Sequence, residues 1–315
     1  MNEAPVVVIA GPTASGKSGL ALEIAEALAG SIVNADSMQV YSDLRLLTAR
    51  PSLADEARVP HHLYGYRDAP ELASAADWAR DARSVIHDIR KARRRPIVVG
   101  GTGLYLRALM EGIADIPPIP AEIRNAARAR REEIGAAAFH RELAEFDPEA
   151  AARLHISDSQ RVLRAWEVHA GTGRALSAWH SDPIPPPELE FRVIVLAPPR
   201  AELYASCEVR FDEMLAAGAL EEVRSLADRA VREGLDPALP IFKALGYPAL
   251  AAHLRGVLSL DEARLQSAQQ TRNYAKRQMT WLRHQLPDGE PESASAGHVL
   301  KLNYKNMEET FSFLS

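Results

Sequence analysis

The sequence predicts an α/β protein: a P-loop NTPase-like core with a parallel sheet, plus an inserted all-helical domain. Three observations carry this expectation. The apolar run Val6-Val7-Val8-Ile9-Ala10 leads straight into Gly11-Pro12-Thr13-Ala14-Ser15-Gly16-Lys17-Ser18, a G-x-x-x-x-G-K-S loop of the kind that joins a strand to a helix. Short apolar strands then alternate with helical stretches, the order that builds parallel sheets. Two proline-rich seams, at 116–120 and 183–187, bracket a stretch rich in Ala, Arg and Glu that has helical periodicity and no strand.

Taken in order, residues 19–28 repeat apolar side chains at helical spacing and stop before Gly30. A short strand over 31–35 ends at Asp36. A helix is expected over 77–92, then a buried strand over 96–99, the turn Gly100-Gly101-Thr102-Gly103, and a helix over 104–111. Strand character returns at 191–196 and should rejoin the sheet, and 201–286 is mostly helical. The domains predicted are 1–115 and 190–290 as two parts of the core, 116–189 as the Arg-rich insertion, and 291–315 as a polar tail with little order.

Bulk properties narrow the function. The chain has 315 residues, 47% hydrophobic and 25% charged, with a net charge of −5. These are the proportions of an ordinary globular protein. No apolar run reaches membrane-spanning length, and the N-terminal apolar stretch is short and leads directly into the glycine loop, so a cytoplasmic location without a membrane partner is expected. Cys207 is the single cysteine, which excludes disulfide frameworks and thiolate metal sites; it reads as a small buried side chain. Basic residues cluster at 90–95, 124–131, 161–164 and 272–283. Each cluster suits either a phosphate backbone or a solvated helix face.

The glycine loop is built to hold phosphates. Its backbone N–H groups and the N-terminus of the following helix point at an anion, Lys17 adds a point charge, and Ser18 is the expected ligand for Mg²⁺. The loop alone fits an NTPase or a kinase. Hydrolysing NTPases add a carboxylate at a further strand end, whereas the strand over 96–99 ends in glycines and Thr102. That end offers N–H groups and a hydroxyl, which suit binding a diphosphate more than splitting one. Asp36, nineteen residues after Lys17, is the one carboxylate at a nearby strand end. It can take a proton from a nucleophile, order Mg²⁺ through water, or merely cap the next turn.

Five further segments make the chain recognisable: Asn34-Ala35-Asp36-Ser37-Met38-Gln39-Val40-Tyr41, Pro60-His61-His62-Leu63, Val98 to Tyr105, Asp158 to Ala165, and Tyr274 to Arg283. With the glycine loop they resemble the tRNA dimethylallyltransferase (tRNA isopentenyltransferase) family, in family order and over nearly the whole chain. The resemblance implies transfer of a dimethylallyl group from its diphosphate to N6 of the adenosine just 3′ of the anticodon, in tRNAs reading codons that begin with U. It implies Asp36 as base, Thr102 and Arg124 near the reacting centre, and tRNA contacts by Asp36, Ser37, Met38, Gln39, Gln160, Arg161, Val162, Leu163, Arg164, Lys243, Gly246 and Tyr247. It also suggests a monomer.

Some features depart from the family pattern or admit a structural role. Leu47-Thr48-Ala49-Arg50-Pro51 stands where the family usually has Gly-Thr-Ala-Lys-Pro, and Pro248 follows Gly246-Tyr247 where an Arg is usual. Thr48 and Arg50 are still expected in the cleft. Ser157-x-x-Gln160 fits a capping box, Trp166 fits a core position, and the adjacent His61 and His62 lack metal-ligand spacing. Three rival functions remain: an isopentenyltransferase acting on free adenine nucleotide, a small-molecule kinase, and a non-enzymatic RNA-binding module.

Overall fold

A computed structural model describes residues 4–182, 188–286, 298–302 and 307–314. It divides into two units: Met1–Glu111 with Pro186–Ser315, and Gly112–Pro185. The second proline seam, 183–187, lies outside the described residues, as do 287–297 and 303–306.

The first unit is built on a parallel sheet of six strands, in the order β3-β2-β4-β1-β5-β6 among the described residues. Its strands are β1 (Val6–Ala10), β2 (Gly30–Asn34), β3 (His61–His62), β4 (Arg95–Gly100), β5 (Phe191–Leu196) and β6 (His298–Leu302). β1, β2 and β4 are buried almost throughout, as strands covered on both faces must be. The helices α1 (Lys17–Ala27), α2 (Leu53–Arg58), α3 (Ala75–Lys91) and α4 (Gly103–Met110) alternate with them. One apolar cluster joins Val7, Ile9, Leu20, Ile24, Ile97 and Ile194 across β1, α1, β4 and β5.

The predicted strand over 191–196 forms with those bounds and pairs with β1, Val8 opposite Val193. The expected tail departs most from the sequence reading. β6 extends the sheet beside β5, with Val193 opposite Val299, and α13 (Met307–Leu314) follows. Leu302 and Leu314 enter the main core. Their burial fixes the segment, although so short a run has little strand signal by itself.

The second unit is helical among its described residues: α5 (Ala121–Phe146), bent at Gly135, then α6 (Pro148–Arg153), α7 (Ser159–Thr172) and α8 (Leu176–His180). Its core packs Ala127, Phe139, Leu143, Val162, Ala165 and Val168. Buried Asp147 staples it, accepting bonds from Ala150 N–H and from both the N–H and hydroxyl of Ser177. After β5 the first unit continues through α9 (Arg200–Ala216), α10 (Ala219–Glu233), α11 (Tyr247–Leu254) and α12 (Leu260–Gln285). No helix among the described residues is long and apolar enough to cross a membrane.

Candidate active site

Parallel α/β sheets gather ligands at the carboxyl ends of their strands. Here β2, β4 and β1 are neighbours, so the loops bearing Asp36, Gly100–Gly103 and Gly11–Ser18 stand side by side. A cleft of about 560 Å³ opens between the loop residues Ala14–Gly19 and α9, where Arg210 and Glu213 line it.

The glycine loop is shaped as an anion cradle. Gly16 caps α1 in the left-handed region at φ 83°, with no side chain accepting from the helix, and the first turn carries no acid. The N–H groups of that turn have no intrahelical partner, and the helix dipole favours an anion there. Ala14, a non-glycine residue, is held at φ 64°, a conformation that costs about 1 kcal/mol or more. The Ser15 hydroxyl is buried with no hydrogen-bond partner. Backbone strain and an orphaned donor in one loop are the marks of a site shaped for a ligand.

Lys17 donates to the Pro12 carbonyl at 3.1 Å. Burial pushes its pKa down to about 8, against the nearby Asp36 carboxylate, which raises it; Arg210 adds to the lowering. Arg210 is a residue that no sequence motif marks. It donates to the Thr13 hydroxyl and is half-buried; desolvation lowers its pKa, while Cys207 and Asp36 pull it back up. A lone Arg in an Arg-rich chain gives no motif. Only the packing of α9 brings it to the loop. Cys207 is buried beside Leu203 and Ala275.

Asp36 is held from both directions. Its N–H donates to Asn34 Oδ1 at 2.8 Å, and its own Oδ1 accepts from Met38 N–H at 2.9 Å. The turn-capping role therefore exists, and it occupies one carboxylate oxygen. Thr102 Oγ1 accepts from Ser37 N–H at 3.0 Å, which ties the β2 and β4 loops together. Tyr274 of α12 has its pKa pushed up to about 12 by burial and then by the Asp36 charge, with a hydrogen bond to Thr102 acting the other way. Asp36 thus acts electrostatically on Lys17, Arg210 and Tyr274 at once.

Not every expected contact is available. Thr13 N–H is spent on Gln278 Oε1 at 2.8 Å, so that amide leaves the cradle. The Gly100–Gly103 turn is less of an oxyanion site than expected: Thr102 N–H donates to Ala35 O, and Gly101 O accepts from Gln278. Gln39 uses its amide to hold the carbonyls of Thr48 and Ala49. Thr48 donates to Leu44 O, and Arg50 donates to the carbonyls of Tyr41 and Ser42. Both therefore brace their own loop. Lys243 is exposed, but Gly246 and Tyr247 are buried, packed at the start of α11. The 90–95 cluster is also structural in part, with Arg90, Arg94 and Arg95 donating to the carbonyls of Ala4, Gly30 and Pro5. His61 bonds Val59 O and meets Tyr64 edge-on.

In the helical unit, Gln160 and Arg161 are exposed at the start of α7, Leu163 and Arg164 are half-buried, and Val162 is buried in the core. The periodic face Val162-Ala165-Val168 explains the last of these. The expected capping box does not form: Asp158, one residue later, caps α7 by accepting from Arg161 N–H. Gln160 is therefore not occupied by the helix start. Trp166 stacks on Phe139 in the core. Arg124 interacts electrostatically with Arg164 and Glu167, and its Nε is buried without a partner.

This geometry accords with known proteins. The IPP transferase family model matches residues 39–285, and the isopentenyl transferase model matches 4–64. The chain belongs to the IPP transferase family. A tRNA dimethylallyltransferase from Rhodospirillum centenum is 57% identical over 90% of this chain and 89% of its own length. One from Bradyrhizobium sp. is 54% identical over 90% and 92%. Among solved structures, the full-length tRNA isopentenylpyrophosphate transferase from Bacillus halodurans aligns with a TM-score of 0.64 at 30% identity, covering 99% of this chain and 95% of that one. A eukaryotic dimethylallyltransferase acting on tRNA gives 0.78 at 26% identity, over 95% of this chain and 74% of its own. As an IPP transferase, the chain is a prenyl-transferring, tRNA-modifying enzyme.

Proposed function

We propose that the chain transfers a dimethylallyl group from dimethylallyl diphosphate to N6 of the adenosine 3′-adjacent to the anticodon, in tRNAs reading codons that begin with U. The observation that carries this reading is that Lys17 of the phosphate loop and Asp36 at the end of β2 stand at the same edge of the sheet, near enough for the carboxylate to raise the Lys17 pKa: a cation for the leaving group faces a carboxylate for the nucleophile. The loop amides, the Ser15 hydroxyl, Lys17 and Arg210 take the diphosphate. The bond from the allylic carbon to oxygen breaks with its electron pair going to the diphosphate, and the bond from N6 to carbon forms. N6 becomes cationic as it is alkylated, and Asp36 takes the released proton. Preorganised donors aimed at the leaving oxygens stabilise the charge that develops there.

The residues present fit Mg²⁺. Ser18 offers an exposed hydroxyl at the cleft, which Lys17 and the phosphate loop also line. A single hydroxyl donor suits an ion that gives up few of its waters; Ser18 would be its protein ligand, and Asp36 would order it through water. When bound, it would neutralise charge on the leaving diphosphate.

Thr102 fixes the loop next to the base. The adenine must leave its stack to reach such a cleft, and single-stranded loops are where RNA sequence is readable. Gln160, Arg161 and Arg164 grip the anticodon loop, and the chain works as a monomer. Incubating it with labelled dimethylallyl diphosphate and unmodified tRNA, AMP or neither tests the reading. Label is expected in tRNA only. Label in AMP alone, or ATP-dependent phosphorylation of a small acceptor without prenyl transfer, would overturn it.

A further inference from the structure

The Tyr274–Arg283 segment contains a buried polar side chain that the proposed chemistry does not use. Gln278 of α12 is 5% exposed, and both ends of its amide are engaged with backbone. Oε1 accepts from Thr13 N–H of the phosphate loop at 2.8 Å. Nε2 donates to Gly101 O of the β4 loop at 2.9 Å. The two partners are 88 residues apart in sequence (101 minus 13), on loops that follow neighbouring strands.

The chemistry of the bridge is specific to glutamine. One partner is a donor and the other an acceptor, so the amide orientation is fixed. Glu keeps the acceptor and loses the donor, Met of similar length has neither, and Asn is one methylene shorter. The surroundings leave room for this bridge and little else. A Cβ at Gly101 would lie 2.2 Å from Gln278 Nε2, and one at Gly103 would lie 2.4 Å from the Trp281 ring, one helical turn further along α12. Tyr274, one turn earlier, stands near Thr102. One face of α12 therefore packs against the phosphate loop and against Gly101 and Gly103 of the β4 loop.

We propose that Gln278 is a positioning residue for the transfer: its amide sets the spacing between the loop that holds the diphosphate and the loop that carries Thr102 beside Asp36. This inference rests on the proposed function. The leaving oxygen and the base must be held in register for in-line transfer, and a misplacement of about 1 Å can cost roughly 100-fold in rate. Gln278 acts through the two loops and touches neither substrate.

The test uses the full chain. The first measurement is amide hydrogen exchange at Thr13 without substrates, where a retained bond protects the N–H by about 100-fold or more over an open loop. In Gln278→Met that protection is lost, kcat falls by about 30- to 100-fold, the KM for dimethylallyl diphosphate rises about 10-fold, and the KM for tRNA stays within about twofold. Gln278→Glu keeps Thr13 protected, yet kcat still falls because Gly101 is released. It also supplies the kinetic readout if the Met variant does not fold. A wild-type Thr13 amide exchanging at open-loop rates overturns the proposal. So does a Met or Glu variant whose melting temperature drops while kcat and both KM values of the folded protein are unchanged. Absence of prenyl transfer by the wild type would contradict the proposed function, a failure separate from that of the clamp because the exchange reading needs no substrate.

Discussion

In the sheet-based unit, the groups assigned to chemistry are desolvated and bound from several sides. Lys17 is half-buried, and desolvation pushes its pKa down to about 8, Asp36 is pinned by Asn34 and Met38, and Arg210 is tied to Thr13. In the helical unit, Gln160 is exposed and the Arg161 side chain is 75% exposed, paired with Asp158 at the start of its own helix. The contrast accords with the tasks proposed for the two sets. Stabilising a leaving diphosphate requires donors that need no reorganisation, so the cleft accepts the cost of burying charge and of straining Ala14. Gripping an RNA loop requires long side chains whose solvation is surrendered only on contact, and these cost little while exposed.

The comparison breaks if the two units respond alike to mutation. The largest effect is expected from Asp36→Ala: kcat falls by about 1,000-fold, within the range for losing a general base, while tRNA affinity measured by filter binding stays within a few-fold. Lys17→Ala comes next. The KM for dimethylallyl diphosphate rises about 100-fold, on the scale of losing one charge-stabilising group, with tRNA binding unchanged.

A pH series gives a smaller and continuous effect. Burial lowers the Lys17 pKa from its ordinary value to about 8, so the ammonium is present at pH 7 and lost as pH climbs through that value. The KM for the donor therefore rises above pH 8, by up to about tenfold per unit, while the KM for tRNA stays flat. The smallest effect is Arg161→Ala, which weakens tRNA binding by about 3- to 10-fold in a salt-dependent way and leaves the donor KM alone. A change in donor KM from Arg161→Ala would show that the exposed helix end also shapes the diphosphate site.

Much of this was legible in the sequence, for reasons that can be named. β1, the glycine loop and β5 announce themselves because a buried parallel strand is a continuous apolar run and the loop needs glycine where the chain turns under an anion. β6 was hidden: five residues, with Lys301 interrupting the run, gain their stability only by pairing with a strand about 100 residues away. The helix cap was misread because Ser157 and Asp158 both suit the role, and one residue of register decides between them. Arg210 and Gln278 were invisible as site residues. The roles proposed for them depend on which loop α9 and α12 pack against, and no local pattern encodes that.

The most direct test of the account is whether Asp36 and Lys17 share a cleft. In the structure the carboxylate raises the Lys17 pKa against burial, so Asp36→Asn should lower it. Calorimetric titration of inorganic diphosphate from pH 6.5 to 9.5 should then show affinity falling from about pH 8 in the wild type and from a distinctly lower pH in the variant. Superimposable pH profiles would mean that the carboxylate and the ammonium do not feel each other, and the arrangement of base and leaving-group site described above would be wrong.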